Sequence, residues 1–146
     1  MTPITPSVLS VSLAFVCLFL TAPVLATALI LDSTGAPSDA GKIGCSLYNS
    51  PAGFPQDATG RPGFWREVRN GGATCMFEGL AAGTYAVAVS HDANSNGKLD
   101  EIFLGVSTEA WDVSNNARPF LSVPTFDDTA FVIPDEPSHA INIEMK

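Results

Sequence analysis

Thr84-Tyr85-Ala86-Val87-Ala88-Val89-Ser90-His91 is the stretch whose reading decides the fold. Large apolar side chains stand at Tyr85, Val87 and Val89, while small or hydroxylated ones stand at Thr84, Ala86, Ala88 and Ser90. A period of two belongs to a β-strand, because successive side chains of an extended chain point to opposite faces. The first set makes a core face. The second is small enough to lie beneath another layer or to line a shallow groove, and the pattern alone does not choose between them.

Working outward, β-favouring runs of the same kind recur at Thr27 to Asp32, Lys42 to Asn49, Ala73 to Glu78, Ile102 to Val106, Asp128 to Ile133 and His139 to Met145. Clusters of Gly, Pro, Asn and Asp separate them. Ile43, Cys45 and Leu47 share one face of their run, as do Ile141, Ile143 and Met145 of theirs. Helical periodicity is almost absent beyond residue 26, so the expected fold is all-β, a seven-stranded two-sheet sandwich.

Upstream of the first strand, Val8 to Leu20 is apolar but for Ser10 and Ser12, and nothing charged precedes Asp32. The run is too short to span a bilayer comfortably, and Val24, Ala26 and Ala28 supply small residues for a signal peptidase. Residues 1–26 are therefore expected to be a signal peptide, with Thr27 to Lys146 a single exported domain, periplasmic or on the cell surface. Met1 to Ser7 carries no Lys or Arg, which departs from the usual pattern and keeps an uncleaved anchor as the alternative. A lipid anchor on Cys17 is disfavoured by the bulk of Phe15 and Val16.

The net charge of −8 repels nucleic acid and anionic lipid and draws in cations. Beyond the signal two cysteines remain, Cys45 and Cys75. In an oxidising compartment a disulfide is the natural reading, although two buried thiols suit the same strand faces. Two long connections, Ser50 to Gly72 and Ser107 to Asp127, each hold a tryptophan, Trp65 and Trp111. The first also holds Arg61, Arg66 and Arg69 around Phe64, and reads as an amphipathic helical turn in preference to a partner-binding patch.

The segment Phe77-Glu78-Gly79-Leu80-Ala81-Ala82-Gly83-Thr84-Tyr85-Ala86-Val87 resembles the strand, turn and strand of transthyretin-like and B-type surface-protein modules. Together with Leu47-Tyr48-Asn49-Ser50-Pro51-Ala52-Gly53-Phe54-Pro55, the loop from His91 to Asp100 and Ser114-Asn115-Asn116-Ala117-Arg118, it resembles the bacterial domain of unknown function family 2141. The resemblance implies a signal peptide and a sandwich of transthyretin-like or immunoglobulin-like type; it implies no activity. Trp111-Asp112-Val113 stands where that family's pattern has an aromatic residue and glycines.

Asp92-Ala93-Asn94-Ser95-Asn96-Gly97-Lys98-Leu99-Asp100 sets oxygen-bearing side chains at alternate positions, followed by Gly, an apolar residue and a carboxylate. This is most of an EF-hand-type calcium loop, with side-chain ligands expected from Asp92, Asn94, Asn96 and Asp100, a backbone carbonyl from Lys98, and Leu99 pinned in the core. Position twelve, ordinarily a bidentate Glu, is Phe103; Glu101, Glu109 or Asp112 could fill the gap. The rival reading is a tight Asn96-Gly97 hairpin turn.

Ser90, His91 and Asp92 cannot form a relay on one strand, and the acid pairs Asp100–Glu101 and Asp127–Asp128 read as solvated charge rather than a glycosidase pair. The chain is thus expected to be no enzyme. It reads as a calcium-stabilised module with a protein or glycan partner, or as a purely structural sandwich. Trp65 and Trp111 exposed in one groove would favour binding; their burial would favour structure.

Overall fold

The computed structural model describes residues 26–102, 106–120 and 122–146; the expected signal segment up to residue 25 and Phe103 lie outside them. The strands are β1 (Thr27–Thr34), β2 (Lys42–Tyr48), β3 (Gly63–Glu67), β4 (Ala73–Leu80), β5 (Gly83–Asp92), β6 (Glu101–Ile102), β7 (Val106–Ser107), β8 (Trp111–Val113), β9 (Phe131–Ile133) and β10 (Ser138–Glu144). An α-helical turn, α1, spans Phe126–Thr129, and a 3-10 turn spans Ser114–Asn116.

Two sheets face each other, as the alternation predicts. The smaller has the order β10-β1-β4, with β1 and β10 parallel and β1 and β4 antiparallel. The larger has the order β3-β2-β5-β8, and β9 continues the β8 edge along the other end of β5. Leu29 and Leu31 from β1, Cys75 and Phe77 from β4 and Ile143 from β10 meet Ile43, Cys45, Leu47, Val87 and Val89 of the larger sheet. All ten are buried, so the strand faces assigned from period two make the core.

Cys45 and Cys75 are bridged, and the bridge ties β2 of one sheet to β4 of the other across the core. A closed loop with a sequence separation of 30 residues removes conformational entropy from the unfolded chain.

Three expectations are corrected. The stretch around Trp65 is not a helical turn but the edge strand β3, paired with β2 from Lys42↔Glu67 to Ser46↔Gly63. Phe64 then points inward onto Phe77, with ring centroids 5.0 Å apart, while Trp65 points out. Asp128 to Ile133 is not one strand, because Thr125 and Asp128 form a reciprocal capping box that starts α1 and leaves Phe131–Ile133 as β9. The ends of the expected Ile102 to Val106 strand are instead partners: Glu101–Ile102 pairs antiparallel with Val106–Ser107 as a two-residue ladder.

The outer face of the larger sheet is covered over part of its length. Tyr48 and Ala86 lie beneath Phe54 and Phe126, which meet edge to face at 6.0 Å, and the Tyr48 hydroxyl donates to the Pro55 carbonyl at 2.9 Å. The guanidinium of Arg61 sits over the Tyr48 ring, 4.7 Å from its centroid. That of Arg66 sits over Phe64, 4.6 Å away, so these two arginines cap different aromatic rings rather than forming one basic patch.

Removing the inter-sheet bridge, by reduction or by replacing both Cys45 and Cys75 with Ala, is expected to lower the unfolding free energy by about 3 to 4 kcal/mol. Urea unfolding of the two forms measures this. A loss below about 1 kcal/mol would show that core packing alone holds the sheets together.

Candidate functional site

β5 ends at Asp92, and the chain then leaves the sheet for an excursion that returns at Trp111 of β8. Asp92 is 1% exposed and organises the turn: its carboxylate accepts the amide N–H of Asn96 at 3.0 Å and of Gly97 at 2.7 Å. Asn94 and Asn96 repeat the pattern two residues on, their side-chain oxygens accepting the amides of Asn96 and Lys98 at 3.0 Å each. Their carboxamide N–H groups both donate to Asp100, at 2.6 and 2.8 Å. Asp92, Asn94, Asn96 and Asp100 thus curl into one ring of side chains.

Glu109 braces this ring from outside. Its two carboxylate oxygens each accept a loop amide at 2.9 Å, one from Ala93 and the other from Asp100. Of the side chains considered for the missing ligand position, Asp112 points elsewhere: it is buried, paired with Arg118, and accepts the Val113 amide at 2.7 Å. Leu99 does not pin the loop into the core. It is half-buried and lines a groove on the sheet's outer face.

Among the described residues no group of three or more His, Cys, Asp or Glu side chains is arranged to hold a metal ion. The ring at Asp92–Asp100 has two carboxylates and two carboxamides, with the carboxamide N–H groups turned inward. Nor is the loop a two-residue hairpin. The strand that follows it, β6, pairs with β7 rather than β5, and left-handed φ falls on Ser95 (59°) and Gly97 (81°) rather than on both Asn96 and Gly97.

The groove lies beside the loop. Across the larger sheet, Trp65, Gly44, Ser90 and Trp111 stand opposite one another in a single row, one from each of four strands. Two tryptophans therefore flank two small residues. The six-membered ring of Trp65 leans over Gly44, so that a Cβ there would lie 2.9 Å from the ring. Trp65 is still 43% exposed, and Trp111 is half-buried. Ser46 and Ala88 floor the next row, and Gly97, Lys98 and Leu99 close the end nearest the loop. The enclosed volume is about 580 Å³.

On the other face of β5, His91 is buried and its Nε2 lies 2.7 Å from the Ala40 carbonyl oxygen. Ser90, His91 and Asp92 accordingly form no relay.

Residues 32–142 match the model of DUF2141, described as an uncharacterized protein conserved in bacteria. The chain belongs to that family. The DUF2141 match runs from β1 into β10 and takes in both sheets, the loop and the groove. No curated protein and no solved structure matches the chain.

The Trp65–Gly44–Ser90–Trp111 row was not read from the sequence of this DUF2141 member, since it depends on β3 and β8, which lie in the two long connections. The legible signals were the small face of β5 and the two loop tryptophans, Trp65 and Trp111.

Hydrogen bonds from Asn96 and then Asn94 hold the Asp100 carboxyl below its ordinary 3.8, against the upward push of burial. Its contribution to stability is thus complete above the ordinary carboxylate range and lost as pH falls through the lowered folded value. Replacing Asn94 and Asn96 together by Ala is expected to bring Asp100 back toward its ordinary value in a carboxyl-carbon NMR titration. An unchanged titration would mean that the carboxamides do not hold the ring together in solution.

Proposed function

We propose that the protein is an exported, non-catalytic β-sandwich module whose Asp92–Asp100 loop takes a calcium ion and is stiffened by it. One observation carries the reading: Asp92, Asn94, Asn96 and Asp100 curl into a single ring braced at two amides by Glu109. Side-chain oxygens at alternate positions, a positive-φ glycine at the sixth and a carboxylate at the ninth are what a hard, oxygen-seeking cation requires.

To admit the ion, the carboxamides of Asn94 and Asn96 rotate so that oxygen replaces N–H toward the centre, and Asp100 exchanges two hydrogen bonds for a charge contact. The Lys98 carbonyl completes the set. With Phe103 at the twelfth position and two acidic ligands, affinity falls in the weak extracellular range, about 10⁻⁴ to 10⁻³ M. Magnesium demands a more rigid octahedron, and zinc wants His or Cys, which the loop lacks.

Export is supported by the inter-sheet disulfide together with the apolar segment at Val8 to Leu20, since bridges persist in oxidising compartments. Among the described residues no helix is long and apolar enough to cross a membrane. A non-catalytic role is supported by the separation of Ser90 from His91 on opposite faces of β5 and by the use of Asp128 as a helix cap.

Thermal melting in EDTA, in about 2 mM calcium and in magnesium tests the reading. A dissociation constant near 10⁻⁴ M implies about 1.8 kcal/mol of stabilisation at that concentration, a rise of roughly 5 to 10 °C. Asp92→Asn and Asp100→Ala are both expected to remove the rise. Asp100→Ala is the cleaner of the two, because Asp92 also holds two backbone amides. No rise even at about 10 mM calcium would leave a structural sandwich whose loop is held by its own hydrogen bonds.

A further inference from the structure

We infer that the groove between Trp65 and Trp111 is a binding site for a neutral oligosaccharide. The inference goes beyond the calcium reading and rests on different atoms, those of the sheet itself.

The four-strand row makes the site. Adjacent strands lie about 4.8 Å apart, so three steps separate the backbones of Trp65 and Trp111 by roughly 14 Å. Both tryptophans stand on the outer face; the Trp65 ring lies over Gly44, and Ser90, Ala88 and Ser46 make the floor. A Cβ at Gly44 would lie 2.9 Å from the Trp65 ring and 3.1 Å from the Ser90 hydroxyl, so the ring would have to shift to admit it. The Trp65 ring thus rests on the strand on one side while a large part of it meets solvent.

Polar groups stand on the floor and rim: Ser46, Ser90 and Gln56 line the groove. Among the described residues Lys98 is the one charged side chain at the groove's lining, although the chain as a whole carries −8. An apolar wall with a few convergent hydrogen-bonding groups, in a volume of about 580 Å³, is the make-up of a small-ligand site.

The chemistry of this lining selects the occupant. A pyranose presents an apolar C–H face, which stacks on an indole, and a rim of hydroxyls, which pair with Ser, Gln and Lys side chains. A neutral sugar suits a lining that offers a single charge. An extended peptide is poorly served, because β2 and β5, which form the floor, are each paired on both sides and offer no free edge for strand addition. The two tryptophans rise from strands three steps apart, so a short chain can engage both where a monosaccharide engages one.

The test is a glycan array bearing neutral, sialylated and sulfated oligosaccharides, probed with the purified protein in calcium and again in EDTA, followed by calorimetry with the neutral hits. Neutral oligosaccharides are expected to bind more tightly than their monosaccharides, with Trp65→Ala and Trp111→Ala each weakening binding roughly tenfold. Met76→Ala, on the outer face of the smaller sheet, is expected to leave binding unchanged, and melting temperatures verify that each variant is folded. Because indoles and floor sit on strands, binding persists in EDTA, which separates this outcome from the fate of the calcium reading. An array with no neutral glycan bound, affinity that survives both tryptophan variants, or selective capture of peptides from a displayed library would each overturn the inference.

Discussion

The two-sidedness of β5 is the constraint on which the rest of this structure depends. Its inner face, Val87 and Val89 with His91 beyond them, is buried against the smaller sheet. Its outer face carries Ala86, Ala88 and Ser90, too small to form a layer of their own. Such a face must be covered or left as a depression, and the molecule does both. Phe54 and Phe126 close over Ala86, while Ala88 and Ser90 stay open between the tryptophans. A register slip of one residue would exchange the faces, burying small side chains in the core and exposing the valines, so the pairing of β2 with β5 fixes core and groove together.

Both sides of β5 must also find backbone partners, and here a side chain substitutes for a strand. β8 pairs with residues Ala88 to Ser90 and β9 with Gly83 to Tyr85, leaving a gap between them. The Ser114 hydroxyl fills it by accepting the Val87 amide at 3.0 Å and donating to the Thr129 carbonyl at 2.7 Å. The next two residues, Asn115 and Asn116, both adopt left-handed φ, which Asn tolerates better than most residues. Asn116 then accepts the Glu144 amide at 2.8 Å, tying this edge to β10 of the other sheet. The Ser-Asn-Asn stretch is therefore a structural joint, and a buried hydroxyl with both of its bonds made costs little where an unpaired one would cost much.

What could be read from the sequence follows from which forces are local. Strand alternation gave β1, β2, β4, β5 and β10 and the core-facing sets within them, and the two cysteines fell on facing sheets where a bridge could form. The strands that were missed are short or lack alternation. Gly63 to Glu67 sets a glycine, two aromatics and two charges in succession, and only its pairing with β2 makes it extended. Trp111–Val113 is three residues long, and its place is fixed by β5. The loop was legible as a ring of oxygen-bearing side chains because Asx turns are made by near neighbours. Leu99 was misplaced because where it packs depends on the groove, which needs four strands from distant parts of the chain.

The loop and the groove are joined through β5. Asp92 closes the strand two residues beyond Ser90 on the same face, and Gly97, Lys98 and Leu99 form the groove's near end. Whatever orders the loop therefore acts on one wall of the groove, while the floor and the two indoles are held by sheet hydrogen bonds that do not involve the loop. Under the calcium reading an ion would exchange inward N–H groups for oxygens without moving Asp92, whose carboxylate is already anchored by the Asn96 and Gly97 amides. Its effect on the groove would then be confined to the position of Lys98 and Leu99. Under these two proposals such an ion would adjust which end groups are accommodated and leave the aromatic platform intact, so that specificity would lie in the loop and affinity in the sheet.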